Sequence, residues 1–293
     1  MLYLHYSTKL TFNFIAIILD MCSIIEIKDD FNLEKIRLSG QAFRIKKEID
    51  DEASPTYTFY KNGEALKMQE VKTSLFKISC TKETFTKEWS DYFDLSRNYK
   101  KIRKENYGKS PFLDKALDFG SGLRILKQDP WETIVTFIIS QRKSMPAITT
   151  SVERLCCKFG TFNKDNGFYE FPTPQQLAKA TLQEIRKCGV GYRAPYIQDA
   201  ASCVLSSKLD LQKCETLDDE SLYNSLTQIK GVGKKVANCI MLFAFARTSC
   251  APIDVWIERV INDEFDGIDP FPEFGNDAGI IQQYIFYWKT QHK

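Results

Sequence analysis

The feature that most constrains this chain is a pair of apolar helical repeats on either side of a two-glycine turn. Leu222, Leu226 and Ile229 recur at helical spacing before Gly231-Val232-Gly233, and Val236, Ile240 and Phe243 recur at that spacing after it. This predicts helix, tight turn, helix over about residues 222–246. The glycines let the turn adopt positive φ and let another backbone approach closely. The second helix would open with unbonded N–H groups at its positive dipole end, beside Lys230, Lys234 and Lys235 with no acid nearby. Such an end attracts an anion, and a phosphodiester is the obvious one. A plain helical corner with solvated lysines would satisfy the same pattern, but two features favour the richer reading. Val236 to Phe245 is apolar on nearly all sides, which predicts a buried helix with Lys235 at its mouth. Pro252-Ile253-Asp254-Val255 then sets a carboxylate nineteen positions after Lys235, just ahead of another apolar helix.

With 293 residues the chain can hold two domains, and 43% hydrophobic and 27% charged residues are ordinary for a globular protein. A net charge of +2 is nearly neutral, so a nucleic-acid surface must be a local patch. The nine cysteines are scattered and odd in number, with no paired Cys-x-x-Cys spacing for zinc, which favours reduced thiols. Thr11 to Leu19 is apolar and follows Lys9, as in the core of a signal peptide. It is too short to span a bilayer, and Asp20 stands where a small-residue cleavage site would be needed. Residues 1–20 are therefore expected to be a loosely attached extension, with Met21 as an alternative start. Export and membrane insertion are not expected.

The rest of the chain predicts an α+β protein: an antiparallel sheet domain with helices over residues 21–110, then an all-helical domain over 111–293. Leu38 to Ile45 reads as a strand, and Tyr57–Tyr60, Asn62-Gly63 and the alternation from Val71 to Ile78 read as a meander with a tight turn. Thr84 to Phe93 reads as helical, and Tyr99 to Lys109 as a charged connector at the domain boundary. Asp129, Thr173 and Thr181 each carry helix-start chemistry, and Gly189-Val190-Gly191-Tyr192-Arg193 is a second glycine turn between helices.

Leu226-x-x-Ile229-Lys230-Gly231-Val232-Gly233-x-Lys235, followed by Pro252-x-Asp254-Val255, resembles the helix-hairpin-helix DNA glycosylase superfamily, and within it the 8-oxoguanine DNA glycosylase family. The similarity runs from about Ser39 to Phe286. It implies an enzyme that extrudes a damaged nucleotide from duplex DNA, holds the base in a pocket and attacks the sugar carbon that bears it. Lys235 is then the nucleophile. Its amine displaces the base from C1′ and leaves a Schiff base, from which β-elimination cleaves the strand. Burial and neighbouring lysines would lower its pKa. Asp254 would stabilise positive charge at C1′ and assist loss of the lysine's proton, a role compatible with a plain helix cap. Without the resemblance, Lys235 reads equally as a phosphate-binding lysine.

The base-binding residues implied are Gly40, Cys239, Gln282 and Phe286. 8-Oxoguanine carries a donor at N7 where guanine carries an acceptor. A fixed carbonyl, here that of Gly40 within Ser39-Gly40-Gln41-Ala42-Phe43, can sense the difference, because an unmatched buried polar group costs about 1–3 kcal/mol. In Gly279 to Phe286 the family's glutamine and aromatic positions fall on Gln282 and Phe286, and Cys239 would cover the other face of the base. Singly, Cys239 and Phe286 are more often core residues; together with Gly40 and Gln282, each in its matching segment, they point to the base pocket. Gly231, Gly233 and Val236 would grip the backbone, with Tyr192 and Arg193 as wedge and orphan-base reader. The chain departs from animal members at Ser140-Gln141-Arg142-Lys143-Ser144, where they carry an asparagine run, at Ala147, where they carry a second cytosine-reading arginine, and at Trp256, where they carry histidine. Arg142 is a candidate to fill the vacated space. Neither a metal nor an organic cofactor is called for. The partner implied is double-stranded DNA containing 8-oxoguanine, met by a monomer in the nucleoid or nucleus. The alternatives are a glycosylase for alkylated purines and a non-catalytic hairpin that only grips DNA. An iron–sulfur relative is excluded because no cysteine follows Cys250.

Overall fold

The structure is a computed structural model that describes residues 22–49 and 54–292. The N-terminal extension expected at 1–20 lies outside the described residues. The chain is α+β, with a five-stranded antiparallel sheet and attendant helices followed by a helical half. Strands β1 (Ser23–Glu26), β2 (Lys46–Glu48), β3 (Thr56–Lys61), β4 (Glu64–Lys72) and β5 (Leu75–Ile78) lie in the order β1-β5-β4-β3-β2. Inward residues alternate along the strands. Phe59 pairs with Leu66 and Tyr57 with Met68, and Met68 pairs in turn with Ile78. All five are essentially buried, as period-two patterning requires of a one-sided sheet. Asn62 and Gly63 both take positive φ, the two-residue turn whose twist suits a hairpin. Phe93 packs edge-on against Phe31 and Phe59 and closes this core.

Two expectations change. Leu38 to Ile45 is not a strand: helix α1 (Leu33–Leu38) ends there, capped at its start by Asn32, whose side chain accepts from the Lys35 N–H. Its buried stripe of Leu33 and Ile36 is helical in period, and pairing begins only at Lys46. Tyr99 to Lys109 is not a loose connector either. It contains helix α2 (Tyr99–Asn106), held by the ion pair of Arg103 with Asp30 at 2.5 Å and by burial of Tyr99 and Ile102 in the larger core. Of its charges only Arg103 turns inward, to Asp30, while Asp29 accepts from the backbone N–H groups of Tyr99 and Lys100 and the lysines stay exposed.

The helical half contains α3 (Pro111–Gly120), α4 (Pro130–Ser140), α5 (Met145–Phe159), α6 (Pro174–Lys179), α7 (Ala194–Leu205), α8 (Asp219–Leu226), α9 (Lys234–Phe245), α10 (Val255–Glu264) and α11 (Ala278–Gln291), with shorter turns between. The start of α4 is as read: Asp129 accepts from the Glu132 N–H at 2.7 Å and Pro130 opens the helix. Thr173 and Thr181 both form full capping boxes. Arg124, wholly buried, joins the halves. It donates to Asp29 and to the carbonyls of Asp30, Phe93, Asp94 and Arg97, over the ring of Tyr99. Among the described residues no helix is long and apolar enough to cross a membrane.

Candidate active site

The hairpin is α8, a turn from Thr227 to Gly233, and α9. Helix α9 is buried from Val236 to Phe245 except at Asn238, and it packs on α4, where Phe137 stacks on Phe243 at 5.3 Å. Gly231 has φ +82, and a Cβ there would fall 2.4 Å from the Tyr196 ring, so any side chain at this position strains the turn. Gly233 caps α9 without any side-chain bond, and the first N–H returned to the helix is that of Ala237, to the Gly233 carbonyl at 2.9 Å. The N–H groups of Lys234, Lys235 and Val236 are left as donors at the dipole's positive end. The lysines beside them are not all free of acid. Lys230 lies 3.4 Å from Asp199, which also accepts its backbone N–H at 2.9 Å. Asp199 is 31 positions away on α7, so its charge was invisible to a local reading.

A cleft of about 640 Å³ opens at this end of α9, lined by Lys235, Val236, Asp254, Trp256 and the segment from Ser140 to Lys143. Lys235 and Asp254 thus share one cavity. The ammonium of Lys235 lies 5.5 Å from the centroid of Phe137 and beside the Cys239 thiol, one helical turn on. Burial pushes that thiol up, the Lys235 charge opposes the rise and Asp254 adds to it, so the three groups feel one another. Asp254 caps α10, accepting from the N–H groups of Trp256 and Ile257 at 3.0 Å each, which fixes its carboxylate at the cleft wall. Trp256 is packed by Arg259, 5.2 Å from its ring.

Gly40 and Phe286 do not line this cleft. They meet each other: a Cβ on Gly40, at φ +74, would lie 3.2 Å from the Phe286 ring and 3.0 Å from Met145 Sδ. Aromatic packing connects the two places, since Phe43 abuts Phe137 at 5.7 Å and Phe137 lies under Lys235. The Gly40 segment is rigidly held. Gln41 is buried, donates to Ser39 and to the Arg124 carbonyl, and accepts from Leu126 N–H. Gln128 donates its amide to the Gln41 carbonyl and its N–H to the Phe243 carbonyl, both at 2.8 Å, which ties Gly40 to the helix that bears Lys235. Gln282 is buried and accepts from Gln283 at 2.9 Å, on the same stripe of α11 as Phe286.

At the second glycine turn Tyr192 is 53% exposed, whereas Arg193 is buried. The Arg193 guanidinium stacks 4.3 Å from the Tyr192 ring and donates to the carbonyls of Val190 and Gln141, so it faces inward here. Arg142 is exposed at the cleft with φ +51. Gln128, Gln141, Lys143, Tyr196 and Asp199 were not singled out by sequence. Their bonds to distant elements span 31 to 115 positions, and no local period marks them. Among the described residues no cluster of three His, Cys, Asp or Glu side chains could hold a metal ion.

A glycine hairpin opening a buried helix, with a lysine and a capping aspartate across one cleft, defines the helix-hairpin-helix class of base-excision repair proteins. The family model of that superfamily matches residues 135–269, and the model of the 8-oxoguanine DNA glycosylase N-terminal domain matches residues 23–134. The chain is 32% identical over 225 residues to the probable N-glycosylase/DNA lyase of Methanothermobacter thermautotrophicus, covering 66% of this chain and 70% of that one. It superposes on the solved structure of MBOgg1 in complex with a low-affinity DNA ligand with a TM-score of 0.84 at 35% identity, over 93% and 96% of the two chains. It superposes on Clostridium acetobutylicum 8-oxoguanine glycosylase/lyase in complex with DNA carrying cytosine opposite 8-oxoguanine with a TM-score of 0.82 at 31% identity, over 93% and 99%. The chain belongs to the 8-oxoguanine DNA glycosylase family.

Proposed function

We propose that this protein excises 8-oxoguanine from duplex DNA and then nicks the strand through a lysine Schiff base. The observation that carries the reading is the convergence of Lys235 and Asp254 on one cleft at the open end of α9, with Cys239 beside the amine. The N–H groups of that helix end suit the phosphate next to the lesion. The neutral Lys235 amine forms a bond to C1′ as the glycosidic bond breaks and its electrons leave with the base. Asp254, held in place by its two N–H partners, faces the charge that develops on the sugar. Gly40, Cys239, Gln282 and Phe286 are assigned to the base, with Gly40 and Phe286 packed together outside the cleft as it stands, and the turn bearing Tyr192 and Arg193 meets the opposite strand, with Arg142 between. The protein works as a monomer, in the compartment that holds the genome. Sodium borohydride trapping on duplexes with 8-oxoguanine opposite each of the four bases, and on duplexes with alkylated purines, tests the reading. A trapped adduct with the oxidised base alone is expected. An adduct with none of them leaves a hairpin that merely binds DNA, and preferential release of alkylated purines moves the specificity.

A further inference from the structure

The four residues between α4 and α5, Gln141 to Ser144, run between the two glycine turns and are fastened to both. Gln141 donates its amide to the Gly231 carbonyl of the hairpin at 3.1 Å, and its own carbonyl accepts from Arg193. Lys143 donates to the Gly189 carbonyl of the second turn at 2.7 Å, to Ser151 Oγ at 2.5 Å and to the Ala147 carbonyl at 3.4 Å. Those three contacts use all the donors an ammonium has.

Arg142 lies between them in the left-handed region, which costs an L-residue about 1 kcal/mol and persists only where its surroundings hold it. The anchored neighbours supply that hold, since the Arg142 side chain itself is exposed. Lys143 is an unexpected choice for a tie. Burial lowers its pKa, and so do the nearby cations Arg193 and Arg154. A neutral side chain would avoid that repulsion but could not reach three acceptors on α5 and on the turn. The single Ser151 hydroxyl hydrogen lies within reach of both the Ala147 carbonyl at 3.0 Å and the Gly189 carbonyl at 3.2 Å, so Lys143 is the main hold on the second turn.

We propose that Gln141 and Lys143 are positioning residues for base-pair opening: tied one to each glycine turn, they fix the distance between hairpin and wedge and hold Arg142 in the gap. This rests on the glycosylase reading of the cleft. The spacing matters only when an opposite base must be kept apart from the lesion, which separates positioning from general support of the fold.

Single-turnover release of 8-oxoguanine would be measured on two duplexes, one with cytosine and one with a tetrahydrofuran residue, which has no base, opposite the lesion. Lys143→Met is expected to slow the cytosine duplex about tenfold and the tetrahydrofuran duplex less than about twofold. Lys143→Arg, which keeps the charge and several donors, should recover most of the loss on the cytosine duplex. An equal loss on both duplexes, or no loss on either, overturns the positioning role, and so does a failure of Lys143→Arg to recover more than Lys143→Met. Wild-type protein that gives no borohydride-trapped adduct on either duplex removes the glycosylase reading itself, a failure seen before any variant is compared.

Discussion

The two glycine turns of the helical half each bury a valine, Val232 or Val190, but differ in what stands against their glycines. The hairpin turn is backed by carbon: Tyr196 fills the space against Gly231, Val232 and Val236 are buried, and the helix that follows is apolar on nearly every side. The second turn, at Gly189–Arg193, is held by cations on carbonyl oxygens, Lys143 on Gly189 and Arg193 on Val190, and it presents an exposed tyrosine. Dispersion packing is dense and tolerates little change, whereas a few charged hydrogen bonds at a rim can be exchanged for contacts to a ligand. A rigid turn suits the strand on which bonds break, and an exchangeable one suits the strand that must be read.

The sharpest break between the turns lies at Lys235. Lys235→Gln should lower trapping and base release by about three orders of magnitude or more, with duplex binding retained in a gel-shift assay. Retained trapping would move the nucleophile off the hairpin. Next is Asp254, where charge and cap can be separated. Asp254→Asn keeps an oxygen for the Trp256 and Ile257 N–H groups, so melting should be unchanged while base release falls by about a hundredfold. Asp254→Ala should add a loss of about 1 kcal/mol in denaturant unfolding. If the Asn variant were as active as wild type, Asp254 would be only a cap.

The contrast in packing is tested by one methyl group on each turn. Gly231→Ala places a Cβ 2.4 Å from the Tyr196 ring at φ +82, and should destabilise the protein by about 2–3 kcal/mol in urea. Gly189→Ala, at φ +84 but with its nearest neighbour at 3.3 Å, should cost about 1 kcal/mol from backbone strain alone. Equal costs would mean that the second turn is packed as tightly as the first. The smallest effect on stability belongs to Tyr192→Ala, about 0.5 kcal/mol or less, with slower release from paired duplex as its signature.

Much of this site was legible because it is written locally. The interruption of a helical period at Gly231 and Gly233 places the hairpin, and the capping residues Asp129, Thr173 and Thr181 act on N–H groups three positions away. The Asn62-Gly63 turn and the alternation along β3 to β5 are equally local. Leu38 to Ile45 was misread because apolar residues at a helix end, a turn and an extended segment mimic alternation over a few positions, and nothing nearby reveals that Gln41 spends its amide on Arg124 and Leu126. Tyr99 to Lys109 was misread because the acids that fix it, Asp29 on the Tyr99 N–H and Asp30 on Arg103, lie some seventy positions earlier.

The sequence by itself determined most of the elements, the glycine hairpin and the Asp254 cap that follows it, because backbone conformation and capping depend on neighbours within a turn or two. Only the tertiary structure decided that Lys235 and Asp254 open onto one cavity, that Asp199 neutralises Lys230, that Gln128 ties Gly40 to α9, and that Arg193 faces inward while Arg142 faces out. Each of these is a bond or burial between residues far apart in the chain. Such a contact is selected by the packing of the whole core and leaves no period in the sequence to read.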